Sequence, residues 1–221
     1  MDRLNSLDNI LQGFMSNVRL CSDEEIEELE RKQREDIKRA FREASGMDSQ
    51  YYSASLDSDV YRTEYNGEAL ESLRLFCSEV GAGKGLFLIL LGTVGTGKTY
   101  SACAVMNELN FGTYLDMPEL NLKLHTADRY GAKESREQLL HRLATCKMLV
   151  LDEVGRFAGN QGQEQEILFY LLNKRYANNR PTVVCSNLGV KEFSSYIGQA
   201  LTDRLKGRNV KIVLEGKSLR G

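Results

Sequence analysis

The chain has 221 residues, more than one average domain and less than two large ones, and a formal net charge of −2. A near-neutral balance excludes wholesale coating of nucleic acid, which is driven by counterions released from dense Lys and Arg, and leaves only local basic patches open. Five well-separated cysteines without a C-x-x-C pair, and only two histidines, show no zinc site; the cysteines read as small buried hydrophobes of a reducing compartment.

In chain order, the N-terminus carries no basic-then-apolar targeting signal and no later run approaches a membrane span, so the expectation is a cytoplasmic protein with no membrane partner. Leu4, Leu7, Ile10, Leu11, Phe14 and Val18 form one apolar helical stripe. Ser22 with Glu25 makes a capping box that opens a charged helix through Phe41. Ile26, Leu29, Ile37 and Phe41 give that helix a seam too narrow for a core of its own. Either the two helices shield each other as a hairpin or the arm packs on something else. Residues 1–44 are read as this helical arm. Ser45 to Tyr65 is polar, with Gly46, Ser49, Ser53, Ser55, Asp57 and Ser58, and reads as a linker to a domain over 66–221.

The apolar run Leu86 to Leu91 reads as a buried strand, followed at once by Gly92, Thr93, Val94, Gly95, Thr96, Gly97, Lys98 and Thr99. Glycines at this spacing let successive backbone N–H groups face phosphate oxygens. Lys98 reaches the terminal phosphates, the Thr99 hydroxyl suits magnesium, and Tyr100 follows on the same turn. Ala102, Val105, Met106 and Leu109 supply the helix behind the loop, whose positive N-terminus favours anions. ATP or GTP with Mg2+ is the ligand that this strand, loop and helix fit.

A second strand is expected at Thr113–Leu115, and a third at Met148–Leu151, ending in Asp152 and Glu153 on what should be a strand neighbouring the first. Asp152 suits a metal contact; Glu153, one residue further, suits polarising the attacking water. Between them Lys123, His125, Arg129, Lys133 and Arg136 gather, either as a contact for single-stranded DNA or as a solvated face. Leu120, Leu124, Ile167, Leu168, Leu171 and Leu172 recur at helical spacing and read as core. A fourth strand at Thr182–Cys185 ends at Asn187, whose amide suits a γ-phosphate sensor; Ser186 to Gly189 is also an ordinary turn pattern. Leu201 to Leu205 reads as an amphipathic helix bearing Arg204, and a last strand lies at Val210–Leu214. Five strands alternating with helices predict a doubly wound α/β fold, a three-layer sandwich around a parallel sheet.

These motifs, GLFLILLGTVGTGKT from Gly85, YLDMPELNLKL from Tyr114, LVLDEVG from Leu149, LFYLLNKRYANNRPTVVCSNLG from Leu168, LTDRLKG from Leu201 and the terminal GKSLRG, together resemble the DnaC/IstB-like branch of the AAA+ ATPases. The resemblance spans roughly residues 61–221. It implies an ATP-hydrolysing loader that places a DnaB-type replicative helicase on single-stranded DNA, gripping the helicase through the N-terminal arm. The alternatives are an IstB-type transposition helper with the same ATPase residues and, further out, a small-molecule P-loop kinase. By the same resemblance Lys98 and Thr99 contact nucleotide and magnesium, Asp152 and Glu153 serve metal and water, and Asn187 is the sensor. It also makes Arg204 an arginine finger acting in trans within a ring or spiral, and Arg220 a second sensor or else a solvated terminal arginine. The helical lid of larger members is absent or vestigial. Thr93-Val94 stands where Pro-Val is common, Tyr100 where His is common, and Leu219 where an aromatic is usual. None of the three removes a phosphate contact.

Overall fold

The computed structural model describes residues 22–58, 67–129, 131–156 and 161–214. The chain divides into two compact units, Met1–Arg39 and Ala40–Gly221. Helix α1 (Asp23–Ala44) starts as its sequence dictates: the Ser22 N–H donates to Glu25 Oε2 at 3.0 Å and the Glu25 N–H to Ser22 Oγ at 3.2 Å. Ion pairs one turn apart, Lys32 with Glu28 and Arg34 with Glu30, each at 3.2 Å, run along it. Exposed pairs of this kind add only a few tenths of a kcal/mol each. Ile26, Leu29 and Ile37 are about half exposed, so the narrow seam stays a seam. The stripe from Leu4 to Val18 lies outside the described residues.

Phe41 already packs on the core of the second unit, so the domain division falls before the expected boundary at residue 44. The linker reading also needs correction over its described part. Met47, Ala54 and Leu56 are buried, and a single 3-10 turn (Ser49–Tyr51) is started by Asp48, whose Oδ1 accepts the Gln50 N–H at 3.1 Å. Asn107 Nδ2 points at the carbonyls of Tyr51, Tyr52 and Ala54, at 3.2, 3.4 and 2.8 Å. Gly46, at φ +81°, passes so close to β2 that a Cβ would stand 2.5 Å from the Tyr114 carbonyl oxygen. The serines that suggested a flexible connection make turns; three apolar residues spaced among them do the anchoring. Residues 59–66, the remainder of that segment, lie outside the described set.

The sheet consists of β1 (Phe87–Leu91), β2 (Thr113–Asp116), β3 (Leu149–Val154), β4 (Thr182–Ser186) and β5 (Asn209–Val213), all pairings parallel, in the order β2-β3-β4-β1-β5. This is the expected three-layer α/β sandwich. One core lies where Leu88, Leu90, Val150, Val183 and Ile212 meet α2 (Gly67–Gly81), α3 (Lys98–Leu109) and the anchored segment. The alternate residues Phe87, Ile89, Leu91, Leu149 and Leu151 face the other core. There they meet α4 (Met117–Ala127), α5 (Arg136–Thr145), α6 (Gln161–Ala177), α7 (Val190–Ile197) and α8 (Gln199–Leu205). Every residue of β1 and β4 is buried, as continuous apolar runs in a doubly covered parallel sheet require.

One expectation about the sheet fails in a useful way. β3 does not neighbour β1; β4 lies between them. Two strands joined by a crossover need not be adjacent, and apolar runs carry no record of strand order. A second feature that the sequence did not signal is Arg175, fully buried on α6. Its guanidinium donates to Thr182 Oγ1 at 2.8 Å and to the carbonyls of Leu143 at 2.7 Å, Cys146 at 3.1 Å and Pro181 at 2.6 Å. It thereby ties α5, α6 and the start of β4 together.

Candidate nucleotide-binding and hydrolysis site

Parallel strands bring their carboxyl ends to one edge, and register aligns them: Leu91 opposite Ser186, Asp116 opposite Asp152. The loop after β1 curls as its glycines allow, with φ +147°, +85° and +84° at Gly92, Gly95 and Gly97. A Cβ on Gly92 would stand 2.2 Å from the Leu214 carbonyl oxygen, so no other residue fits beside β5. Thr96 Oγ1 donates to the Thr93 carbonyl at 2.9 Å. The buried Lys98 ammonium reaches back across the loop to the carbonyls of Gly92 and Thr93, each at 2.7 Å. The cap residue Gly97 has no side chain to occupy the first amides of α3, which leaves that end suited to an anion.

Despite the intervening strand, the acidic pair of β3 meets the loop. Thr99 Oγ1, in the first turn of α3, donates to Asp152 Oδ2 at 2.6 Å. Tyr114 on β2 donates its hydroxyl to the same oxygen at 2.9 Å, and the Glu153 N–H donates to Asp152 Oδ1 at 2.7 Å. Burial, then the Asp152 charge, pushes the Tyr114 phenol well up, so it stays a donor. The same causes, burial first, raise the Cys103 and Cys185 thiols and keep them inert. Glu153 has a left-handed backbone, φ +55°, rare for a residue with a Cβ and costing about 1–2 kcal/mol. Its carboxylate pairs with Arg156.

A cleft of about 300 Å³ brings Val94, Gly95, Gly97, Lys98, Thr99 and Tyr100 together with Asp152, Glu153 and Asn187. Gly92, Thr93 and Thr96 shape the loop from behind. Four further residues line the cleft that sequence reading missed: Gln50 and Tyr51, from the segment read as a linker, Arg156, and Ser186 at the end of β4. Arg156 alone carried a signal, an Arg just after the acidic pair. Arg204 does not line this cleft; it is exposed on α8, where its guanidinium donates to Asn173 of α6. Arg220 lies outside the described residues. Within the basic cluster Lys123 is paired with Glu119 at 2.9 Å and Arg136 with Asp128 at 3.3 Å, which reduces its net charge.

The donor set fits Mg2+ with a triphosphate. A hydroxyl and a carboxylate in contact offer hard oxygen ligands, and this ion is usually held by one or two carboxylates plus phosphate oxygens rather than by a full protein cage. Among the described residues no cluster of three or more His, Cys, Asp or Glu could form such a cage. None of their helices is long and apolar enough to cross a membrane.

A parallel sheet in this order, with a glycine-rich loop after β1 and an acidic pair near the end of β3, defines a P-loop ATPase domain of the AAA+ class. The sequence pattern of the family described as IstB-like ATP binding protein matches residues 14–221, and the chain belongs to that family. Among curated proteins it is 28% identical over 182 residues to the replicative helicase loader DnaC of Escherichia coli strain K12, covering 80% of this chain and 73% of DnaC. It is 29% identical over 123 residues to the replicative helicase loader DnaI of Bacillus subtilis, covering 54% of this chain and 38% of DnaI. The crystal structure of the DnaC helicase loader superposes with a TM-score of 0.63 at 22% identity, over 76% of this chain and all of that one. The replication initiator DnaA bound to AMPPCP and single-stranded DNA superposes with 0.60 at 17% identity, over 77% of this chain and 51% of that one. At such identities the superpositions establish the fold.

Proposed function

We propose that this chain is a Mg2+-dependent ATPase that loads a DnaB-type replicative helicase onto single-stranded DNA, acting in the cytoplasm as a ring or spiral of copies. The observation that carries the ATPase reading is the 2.6 Å contact between Thr99 and Asp152, which joins the phosphate loop to the acidic pair across an intervening strand. The loader reading is supported by the relatives named replicative helicase loaders, which span four fifths of this chain in the case of DnaC. Lys98 and the loop amides hold the phosphates, and Thr99 and Asp152 hold the metal. Bound there, Mg2+ would neutralise charge on the terminal phosphates.

Glu153 orients the attacking water and Asn187 contacts the terminal phosphate from the tip of β4. Gln50 and Tyr51 add a wall to the cleft from outside the loop and the acidic pair. Arg204, exposed and outside its own cleft, suits a role in a neighbour's: a guanidinium there offsets charge developing on the transferred phosphoryl group. The arm over residues 1–44 is the part assigned to the helicase, and Arg220 is assigned to nucleotide sensing.

The deciding experiment is a binding assay of the full chain with ATP against a DnaB-type helicase and, in parallel, an IstB-type transposase. Capture of the helicase alone supports the loader, and capture of the transposase alone overturns it in favour of a transposition helper. Phosphate release in the absence of any acceptor molecule separates both from a small-molecule kinase.

A further inference from the structure

β3 ends in a bulge. Between the pairs Leu151–Val184 and Val154–Ser186 it carries one residue more than β4, and Asp152 and Glu153 occupy that irregularity. Glu153 there is left-handed at φ +55°, and Gly155 follows at φ +82°. A residue with a Cβ holds such a backbone only where its surroundings over-determine it. Two side chains from other elements do so. Ser186 Oγ on β4 donates to the Val154 carbonyl at 2.7 Å and accepts the Leu188 N–H at 3.2 Å. Glu164 on α6 accepts the Gly155 N–H on Oε1 at 2.8 Å.

Glu164 is the more telling of the two. It is 1% exposed, a rare setting for a carboxylate, and its Oε2 has no hydrogen-bond partner among the described residues. Its place in the first turn of α6, near the positive helix end, offsets part of that desolvation. Tyr196 of α7 stands beside it; burial, then a hydrogen bond to the Glu164 side chain, raises the pKa of its phenol, so that group remains a neutral donor. A stabilising residue at this position would be apolar. A buried carboxyl group aimed at the backbone two residues beyond Glu153 costs desolvation and holds one turn in place.

We propose that Glu164 and Ser186 are positioning residues for hydrolysis: by gripping Gly155 and Val154 they keep the turn that presents the Glu153 carboxylate to the cleft. The proposal rests on the reading of Glu153 as the residue that orients the attacking water. Misplacing such a group by about 1 Å costs on the order of 100-fold in rate.

The test is steady-state phosphate release and equilibrium binding of a fluorescent non-hydrolysable ATP analogue, on the full chain, for Glu164→Ala, Glu164→Gln, Ser186→Ala and Glu153→Gln. Glu164→Ala is expected to lower kcat on the order of 100-fold with analogue affinity unchanged. Glu164→Gln, whose amide oxygen still accepts the Gly155 N–H, should regain most of that turnover. Ser186→Ala should lower kcat on the order of 10-fold, since one of the two grips remains. A merely structural role would lower the melting temperature without separating kcat from affinity, or without rescue by Gln, and either result overturns the proposal. Wild-type turnover in Glu164→Ala beside an inactive Glu153→Gln overturns it while leaving the hydrolytic reading in place. Normal hydrolysis by Glu153→Gln removes that reading and the proposal with it. Should Glu164→Ala fail to fold, wild-type kcat in Ser186→Ala is the overturning result.

Discussion

Lys98 and Glu153 share one cleft, and the roles proposed for them belong to different states of the reaction, so substitutions should separate them. Lys98 already compensates two loop carbonyls at 2.7 Å, so Lys98→Ala removes both a cation for the phosphates and a brace for the loop. Nucleotide binding should fall below detection in an equilibrium titration. Glu153→Gln spares the loop, and should bind nucleotide normally while phosphate release stops. Equal hydrolysis by the two variants would contradict the assignment. Arg175 belongs at this scale too: replacing it by Leu takes the donor from four acceptors, of which only the Pro181 carbonyl keeps a backbone N–H, and should lower unfolding free energy by about 3 kcal/mol or more, measured by urea denaturation. The residues proposed for catalysis were legible because phosphate chemistry dictates residue type and spacing. Arg175 was not, since an arginine on a helix with basic neighbours reads the same whether it faces solvent or core.

Among the elements, the strands were legible to within one residue at either end because buried strands read as apolar runs, except that β3 continues three residues past the expected Leu151, through the acidic pair to Val154. The segment from Ser45 to Ser58 was illegible for the converse reason: it has no period, and its buried residues, Met47, Ala54 and Leu56, are set among turn-forming serines. Its attachment through Asn107 makes a testable link between packing and binding. Asn107→Ala should cost about 2 kcal/mol of stability by taking the side-chain donor from the partly buried carbonyls of Tyr52 and Ala54, that of Tyr51 keeping the Ala54 N–H. It should also weaken nucleotide affinity several-fold in a fluorescence titration, because Gln50 and Tyr51 of the same segment line the cleft. Unchanged affinity with reduced stability would show that the segment only braces the fold.

For the molecule as a whole, the predictions concern what one copy cannot do alone. Arg204 is exposed and bonded to Asn173, outside the cleft of its own chain. Arg204→Ala should bind ATP normally yet hydrolyse it no faster on assembly. Mixed with Glu153→Gln, it should recover phosphate release, because each variant supplies the group the other lacks; no recovery would exclude action in trans. Removal of residues 1–39, a unit of its own, should leave ATP binding intact and abolish helicase capture in a pull-down.

The order of residues alone determined that a glycine-rich loop suited to a triphosphate follows one buried strand and that two carboxylates stand at the end of another, because both requirements are local and written in adjacent side chains. Only the tertiary structure decided that a third strand separates those two. It also recruited the supposed linker to the cleft wall and brought a buried glutamate from α6 to grip the turn behind Glu153. Those are contacts between residues distant in the chain, and no periodicity or spacing encodes which distant segments will meet when the apolar faces close on one another.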